Sequence, residues 1–229
     1  PGRGRGSDFS LSALFSRSPE SLPDGRPTIL MVCTGNICRS PLAELILATR
    51  LSDSGVTVRS AGTHALVGHG MPDPSQVLAV RNGVPPELVD AHRASPLTEQ
   101  LMAEADLVLT MAAEHTALAL QLAPRRLHRT FTLREFARLT DSLTDHQLAL
   151  ATESAAQGAA NPRSRLNALI AAISDQRGVA PRAAGNEDVI DPYRRAQKVY
   201  EQSAAEILPA ILRVERVVRA AVPKISSSG

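Results

Sequence analysis

Tryptophan is absent from the 229 residues, and two Tyr and four Phe complete the aromatic set. A surface that stacks single-stranded bases therefore has almost nothing to be built from. Charge of one sign is lacking too: 25 Lys and Arg stand against 23 Asp and Glu, so no electrostatic pull toward nucleic acid or an anionic membrane arises. No run approaches the roughly 18 consecutive apolar residues of a membrane span, which argues against membrane insertion. Residues 1 to 27 carry early Arg but only scattered apolar positions, where a signal peptide needs a continuous core, and they read as a disordered lead-in. The only two cysteines, Cys33 and Cys38, sit in one short segment and cannot cross-link distant parts of a fold. A reducing, cytoplasmic setting suits them.

What is present is enough apolar sequence for one globular domain with a core: 43% of residues are hydrophobic. TILMVC, residues 28 to 33, is a short apolar run ending at a Gly-containing turn, the pattern of a strand buried on both faces. Ser40 reads as a helix cap and Pro41 as the first helical turn, with Leu42, Leu45, Ile46 and Thr49 following at helical spacing. A second strand over 56 to 59 leads through a Gly- and Pro-rich loop to a helix over 75 to 82, closed by Gly83. A short helix over 98 to 104, a buried strand over 105 to 111, a helix over 112 to 122, a fourth strand in LHRTFTL and a helix over 134 to 139 follow. This alternation predicts an α/β fold with right-handed crossovers and a parallel sheet.

From about 140 to 188 the rhythm breaks into an insertion, with a helical pattern over 163 to 176 and a flexible stretch over 178 to 188. Pro192 begins a long closing helix that Pro209 interrupts. The domain so read spans 28 to 220, and 221 to 229 form a flexible tail.

Arg39 follows Cys33 by six positions and precedes Ser40. A strand-to-helix loop of that length can turn successive backbone N–H groups inward, making a nest for a tetrahedral dianion at a helix N-terminus. Phosphate fits such a cradle. Arg39 would hold two phosphate oxygens with its planar fork, and Cys33 would stand beneath the phosphorus. The amides, the helix dipole and the Ser40 hydroxyl would all favour the thiolate, the nucleophilic form. The resulting phosphocysteine requires a general acid for the leaving oxygen, and Asp191 of the DP pair is the candidate, serving afterwards as base for water. Nothing in this scheme calls for a metal or a cofactor. A plain packing role is the alternative for a Cys that follows a strand.

CTGNICRSPLAE resembles the active-site loop of the low-molecular-weight protein-tyrosine phosphatases, and SAGTHALVGHG, HRAS, ADLVLTM and DPYRRA resemble further family segments in the family's order. The resemblance implies a four-stranded parallel sheet flanked by helices, a phosphatase I-like three-layer sandwich. It implies Cys33 as nucleophile, Arg39 as phosphate clamp, Asp191 as general acid, and a phosphate-binding loop of Thr34, Gly35, Asn36, Ile37, Cys38 and Ser40. Asn36 would hold a left-handed turn, supported by Ser60 and His92, although a lone His such as His92 is otherwise a plain surface residue.

Leu66, with DPYRR, resembles the bacterial branch that acts on tyrosine autokinases of polysaccharide synthesis, which makes a tyrosine-phosphorylated protein of that kind the implied partner. Leu66, Ile37 and Tyr193 would wall a slot for a phenyl ring, or Leu66 is simply one exposed loop leucine. Related protein-arginine phosphatases carry Thr where this chain has Ile37. A phosphate- or phosphotyrosine-binding module with little turnover is the rival from another class. Cys38 either traps an oxidised Cys33 as a reversible disulfide or packs as a small residue. The insertion is a lid, a partner-binding element or a surface excursion.

Overall fold

The computed structural model describes residues 26–156, 161–181 and 183–222. The lead-in up to residue 25 and the tail from 223 lie outside the described residues. Four strands form the sheet: β1 (Thr28–Cys33), β2 (Thr57–Gly62), β3 (Leu107–Thr110) and β4 (Thr130–Thr132). They are all parallel, in the order β2-β1-β3-β4. Two steps from β1 lead outward in opposite directions, first to β2 and then to β3. The order therefore reverses beside the C-terminal end of β1, the place where open α/β sheets leave a crevice for ligands.

Every residue of β1 is buried, because both faces of the sheet are covered. Ile29, Met31 and Cys33 point into the larger core, whereas Leu30 and Val32 join Met102, Val108 and Ala119 on the other face. The larger core is closed by α1 (Arg39–Arg50), α6 (Leu133–Asp141) and α9 (Gln197–Ala221), and the smaller by α4 (Glu99–Glu104) and α5 (Ala113–Leu122). Helices α2 (Asp73–Arg81) and α3 (Pro86–Ala91) fill the connection from β2 to α4. The three layers follow from this two-sided burial. A reciprocal cap starts α6, where Thr132 Oγ1 accepts from the Glu135 amide at 3.1 Å and Glu135 Oε2 accepts from the Thr132 amide at 3.2 Å.

Four boundaries differ from the sequence reading. Helix α1 begins at Arg39 with Cys38 as its cap residue, so Ser40 lies inside the first turn, where its hydroxyl is free to turn toward Cys33. Pro41 still suits that turn, whose amides have no partner within the helix. The α3 helix, absent from the sequence reading, occupies PELVDA behind a pair of prolines. Helix α9 begins at Gln197 rather than at Pro192, since 191 to 196 form turns in which Arg194 takes φ 58°. Pro209 lies within α9 without ending it. Both Pro209 and Ala205, whose carbonyl loses its helical partner, lie on the exposed face of α9.

The region from 140 to 188 holds α7 (Asp145–Ala156) and α8 (Pro162–Asp175). Leu166, Leu169, Ile170 and Ile173 recur at i, i+3, i+4 and i+7, and all four are buried in the main core, together with Leu148 of α7. Arg163 at the start of α8 reaches Asp106 at 2.7 Å, and that buried carboxylate also accepts from the Thr28 amide at 2.9 Å. A surface excursion would leave such a stripe exposed; here it is part of the core. The stretch before Asp191 is likewise tied down, as the site shows.

Candidate active site

Residues 33 to 40 run from the end of β1 into the first turn of α1. The carbonyls of Cys33, Thr34 and Gly35 accept from the amides of Thr63, His64 and Leu66, at 2.9, 2.9 and 3.0 Å. With these carbonyls engaged elsewhere, the Asn36 amide donates to Cys33 Sγ at 3.3 Å. Gly62 permits this close approach, because a Cβ there would stand 2.5 Å from the Thr34 carbonyl oxygen.

Asn36 is fully buried, with φ 54° in the left-handed region. Its Nδ2 donates to Ser40 Oγ at 3.0 Å and to Ser60 Oγ at 2.7 Å, and its Oδ1 accepts from the Ser95 amide at 2.9 Å. Its own carbonyl accepts from His92 Nε2 at 2.8 Å, which burial holds neutral by lowering the pKa of that imidazole. Ser40 Oγ in turn lies 2.9 Å from Cys33 Sγ. An unbroken series of side-chain hydrogen bonds thus links Ser60 through Asn36 and Ser40 to the sulfur. Ser60 also donates to Glu44, whose carboxyl is pushed up to about 7 by burial, partly offset by that bond and by the Arg59 charge.

Arg39 is 5% exposed and faces three groups. Its Nη1 donates to the Val189 carbonyl at 3.1 Å, and its Nη2 lies 3.1 Å from Asp191 Oδ2 and 3.4 Å from Thr34 Oγ1. Cys33, Arg39 and Asp191 are therefore brought to one crevice at the head of β1, although 152 positions separate Arg39 from Asp191 along the chain. Asp191 is half exposed. Ile37 and Leu66 flank Gly35, whose missing Cβ would lie 3.5 Å from the first and 3.8 Å from the second. Tyr193 lies on the Asp191 side, partly exposed, with the Arg194 guanidinium 5.0 Å from its ring centre. The Cys38 thiol is buried and is pushed up to about 11 by that burial, despite hydrogen bonds with Ser75 and Tyr200.

Sequence reasoning missed His115. It lies 1% exposed in the first turn of α5, with Nε2 2.8 Å from Thr34 Oγ1. Burial and the nearby Arg39 charge lower its pKa to about 4, so the ring is neutral beside the guanidinium. Its Nδ1 is the one buried side-chain nitrogen or oxygen without a partner among the described residues. The signal lay in AAEHTALALQL, where His115 and Ala119 share the buried face of a helix whose N-terminus opens on the crevice. Among the described residues, no group of three or more His, Cys, Asp and Glu side chains is placed to hold a metal ion, and no helix is long and apolar enough to cross a membrane.

A cysteine loop with a closing Arg at the switch point of a parallel sheet, faced by an acidic strap, is the framework of a phosphate-binding cysteine site. Residues 28–149 match the family described as low molecular weight phosphotyrosine protein phosphatase, and the chain belongs to it. The low molecular weight protein-tyrosine-phosphatase Etp of Escherichia coli (strain K12) is 42% identical over 97 residues, which cover 42% of this chain and 62% of that protein. A protein-arginine-phosphatase of Bacillus subtilis (strain 168) is 40% identical over 111 residues, covering 47% of this chain and 71% of the relative. The chain thus spans somewhat under two thirds of the length of Etp. Among solved structures, the tyrosine phosphatase Wzb from Escherichia coli K30 in complex with sulphate superposes with a TM-score of 0.56 at 22% identity, covering 83% of this chain and 96% of Wzb. That likeness speaks for the fold.

Proposed function

We propose that the protein is a phosphotyrosine phosphatase working through a phosphocysteine on Cys33. The observation that carries this reading is the convergence of Cys33, Arg39 and Asp191 at one crevice, with Arg39 and Asp191 in direct contact at 3.1 Å. In the first step Cys33 Sγ forms a bond to phosphorus while the ester P–O bond breaks, and Asp191 gives its proton to the departing phenolic oxygen. Arg39 and the loop amides neutralise charge on the equatorial oxygens. In the second step the Asp191 carboxylate takes a proton from water, whose oxygen bonds to phosphorus as the S–P bond breaks. Inorganic phosphate leaves and the starting protonation states return.

Ile37 and Leu66 beside Gly35 give the crevice an apolar wall on one side, and Tyr193 supplies another on the Asp191 side. Such walls suit a phenyl ring and support phosphotyrosine over phosphoserine, whose ester oxygen is too short-armed to reach the loop floor. The relatives include protein-arginine-phosphatases, and phosphoarginine is accordingly the second substrate to try. Turnover of matched phosphotyrosine, phosphoarginine and phosphoserine peptides tests the assignment: a clear preference for phosphotyrosine is expected, and equal rates would remove the slot.

A tyrosine autokinase of polysaccharide synthesis is the proposed physiological partner, supported by the resemblance of the Leu66 and DPYRR segments to that bacterial branch. Dephosphorylation of the purified, autophosphorylated kinase of the same cell tests it, and an unchanged phosphotyrosine signal would contradict it. A reducing cytoplasm is the proposed setting, in keeping with two free cysteines. There an oxidised Cys33 sulfenic acid would condense with the Cys38 thiol, forming a disulfide and releasing water. Full recovery of Cys38→Ala after peroxide and thiol treatment would rule this out.

A further inference from the structure

Asp191 is carried by a strap, residues 185 to 191, that arrives from α8 and not from the helix before it in the sheet. We propose that Asp188 is a positioning residue whose bond to the first turn of α5 sets where the Asp191 carboxyl stands. The proposal rests on the reading of Asp191 as general acid.

Three observations carry it. Helix α5 begins at Ala113 with no side-chain cap from Ala112, and Asp188 Oδ1 accepts from the Ala113 amide at 2.8 Å, so the strap supplies a cap from 75 residues away. The anchoring is dense on both sides of that bond. Arg138 grips Glu187 with two nitrogens at 2.7 and 3.1 Å, Arg134 donates to the Asp188 carbonyl at 2.9 Å, and the Val189 amide donates to the Met111 carbonyl at 2.8 Å. Next, Arg39 takes the Val189 carbonyl, and Glu206 accepts from the Ile190 amide at 2.8 Å. The last observation is that apolar packing of the strap is confined to Val189, which is buried in the main core. Residues 185 to 188 line an open cleft of about 570 Å³ together with Ala113, Thr116 and Ala117 of α5 and with Thr132, Glu135 and Arg177. Upstream of Val189 the strap is therefore held by discrete polar bonds.

The same turn of α5 also holds His115 against Thr34 of the cysteine loop. Its first turn thus touches both halves of the site: the acid strap through Asp188 and the phosphate loop through His115. Only Val189 and Ile190 separate Asp188 from Asp191, so a strap released at Asp188 shifts the carboxyl relative to the leaving oxygen while Cys33 and its loop stay where they are.

The consequence is specific. A misplaced acid slows expulsion of a poor leaving group and spares a good one, and kcat/KM reports that step. Comparing phenyl phosphate with 4-nitrophenyl phosphate, Asp188→Ala should lower kcat/KM on the phenyl ester about tenfold and on the nitrophenyl ester about twofold or less, a fraction of the 10²- to 10⁴-fold that a placed acid supplies. Inorganic phosphate should inhibit the variant as it inhibits wild type, since the loop is intact. Asp188→Asn, which keeps an acceptor for the Ala113 amide, should restore most of the loss. Arg134→Ala, which frees the Asp188 carbonyl from a half-exposed side, should show the same leaving-group bias in milder form and serves if Asp188→Ala does not fold. Equal losses on both esters, or an Asn variant as damaged as Ala, would overturn the proposal. Asp191→Asn is the control: if it too shows no leaving-group bias, the general-acid reading falls; if it shows the bias and Asp188→Ala does not, only the tether falls.

Discussion

Asn36→Ala removes the side chain that ties the cysteine loop to its surroundings, and the structure sets the size of the effect. Three hydrogen bonds disappear: two donated by Nδ2 to Ser40 and Ser60, and one accepted by Oδ1 from the Ser95 amide. At about 1 kcal/mol for each bond the loss is about 3 kcal/mol. Holding Ala at φ 54° adds about 1 kcal/mol, since a Cβ without a polar tip crowds the left-handed region. The expected destabilisation is about 4 kcal/mol, a large share of the 5 to 15 kcal/mol that holds an ordinary domain together. Urea unfolding followed by circular dichroism measures it. Asn36→Gly is the companion variant: it loses the same bonds but accepts the backbone angle, so it should be about 1 kcal/mol more stable than Ala. A loss below about 1 kcal/mol for Asn36→Ala would refute the hydrogen-bond account, given three bonds at about 1 kcal/mol each. An Ala variant as stable as Gly would refute the part assigned to the backbone. Hydrolysis should fall in both, because Ser40 loses the partner that aims its hydroxyl at Cys33.

Glu44, raised from the ordinary 4.5 to about 7, is favoured by the fold in its protonated form, so its own contribution to stability is full below 4.5 and is lost as pH rises through 7. Glu44→Gln should flatten that decline in urea midpoints taken across the range, and an unchanged slope would contradict it. His115, lowered from 6.5 to about 4, contributes stability that is present above 6.5 and is lost as pH falls toward 4. Its ring signals should not titrate between about pH 5 and 8 in an NMR series, and a midpoint near the ordinary histidine value would count against its burial beside Arg39. Ile173→Ala empties a fully buried place in α8 and should cost about 2 to 5 kcal/mol, whereas a change near zero would return the 140 to 188 region to the surface.

The strands and the cysteine loop were legible because their signals are local. TILMVC followed by a Gly turn and Arg39–Ser40–Pro41 is a strand, a nest and a helix start within a few residues, and that order appears at β1 and α1. Boundaries were less legible where a neighbour decides. Ser40 looks like a cap in isolation, but the loop needs its hydroxyl at Cys33, and the helix starts one residue earlier. Pro209 reads as a break until its exposed face on α9 is known. The stripe of Leu166, Leu169, Ile170 and Ile173 was visible as a helix, yet only α7 and α9 packed beside it show that the stripe is core. His115 and Asp188 carried no motif. Their roles arise from contacts made 81 and 75 positions away, with Thr34 and with the Ala113 amide.

Rapid acid quench of labelled 4-nitrophenyl phosphate during hydrolysis asks whether Cys33 carries the phosphoryl group. The wild-type chain should turn over with a phosphoryl group transiently bound to Cys33. Cys33→Ser should abolish turnover, and Asp191→Asn should lengthen the life of the phosphoenzyme. A wild-type chain that binds inorganic phosphate but neither turns over nor acquires the phosphoryl group would contradict the phosphocysteine mechanism and leave a phosphate-binding module in its place.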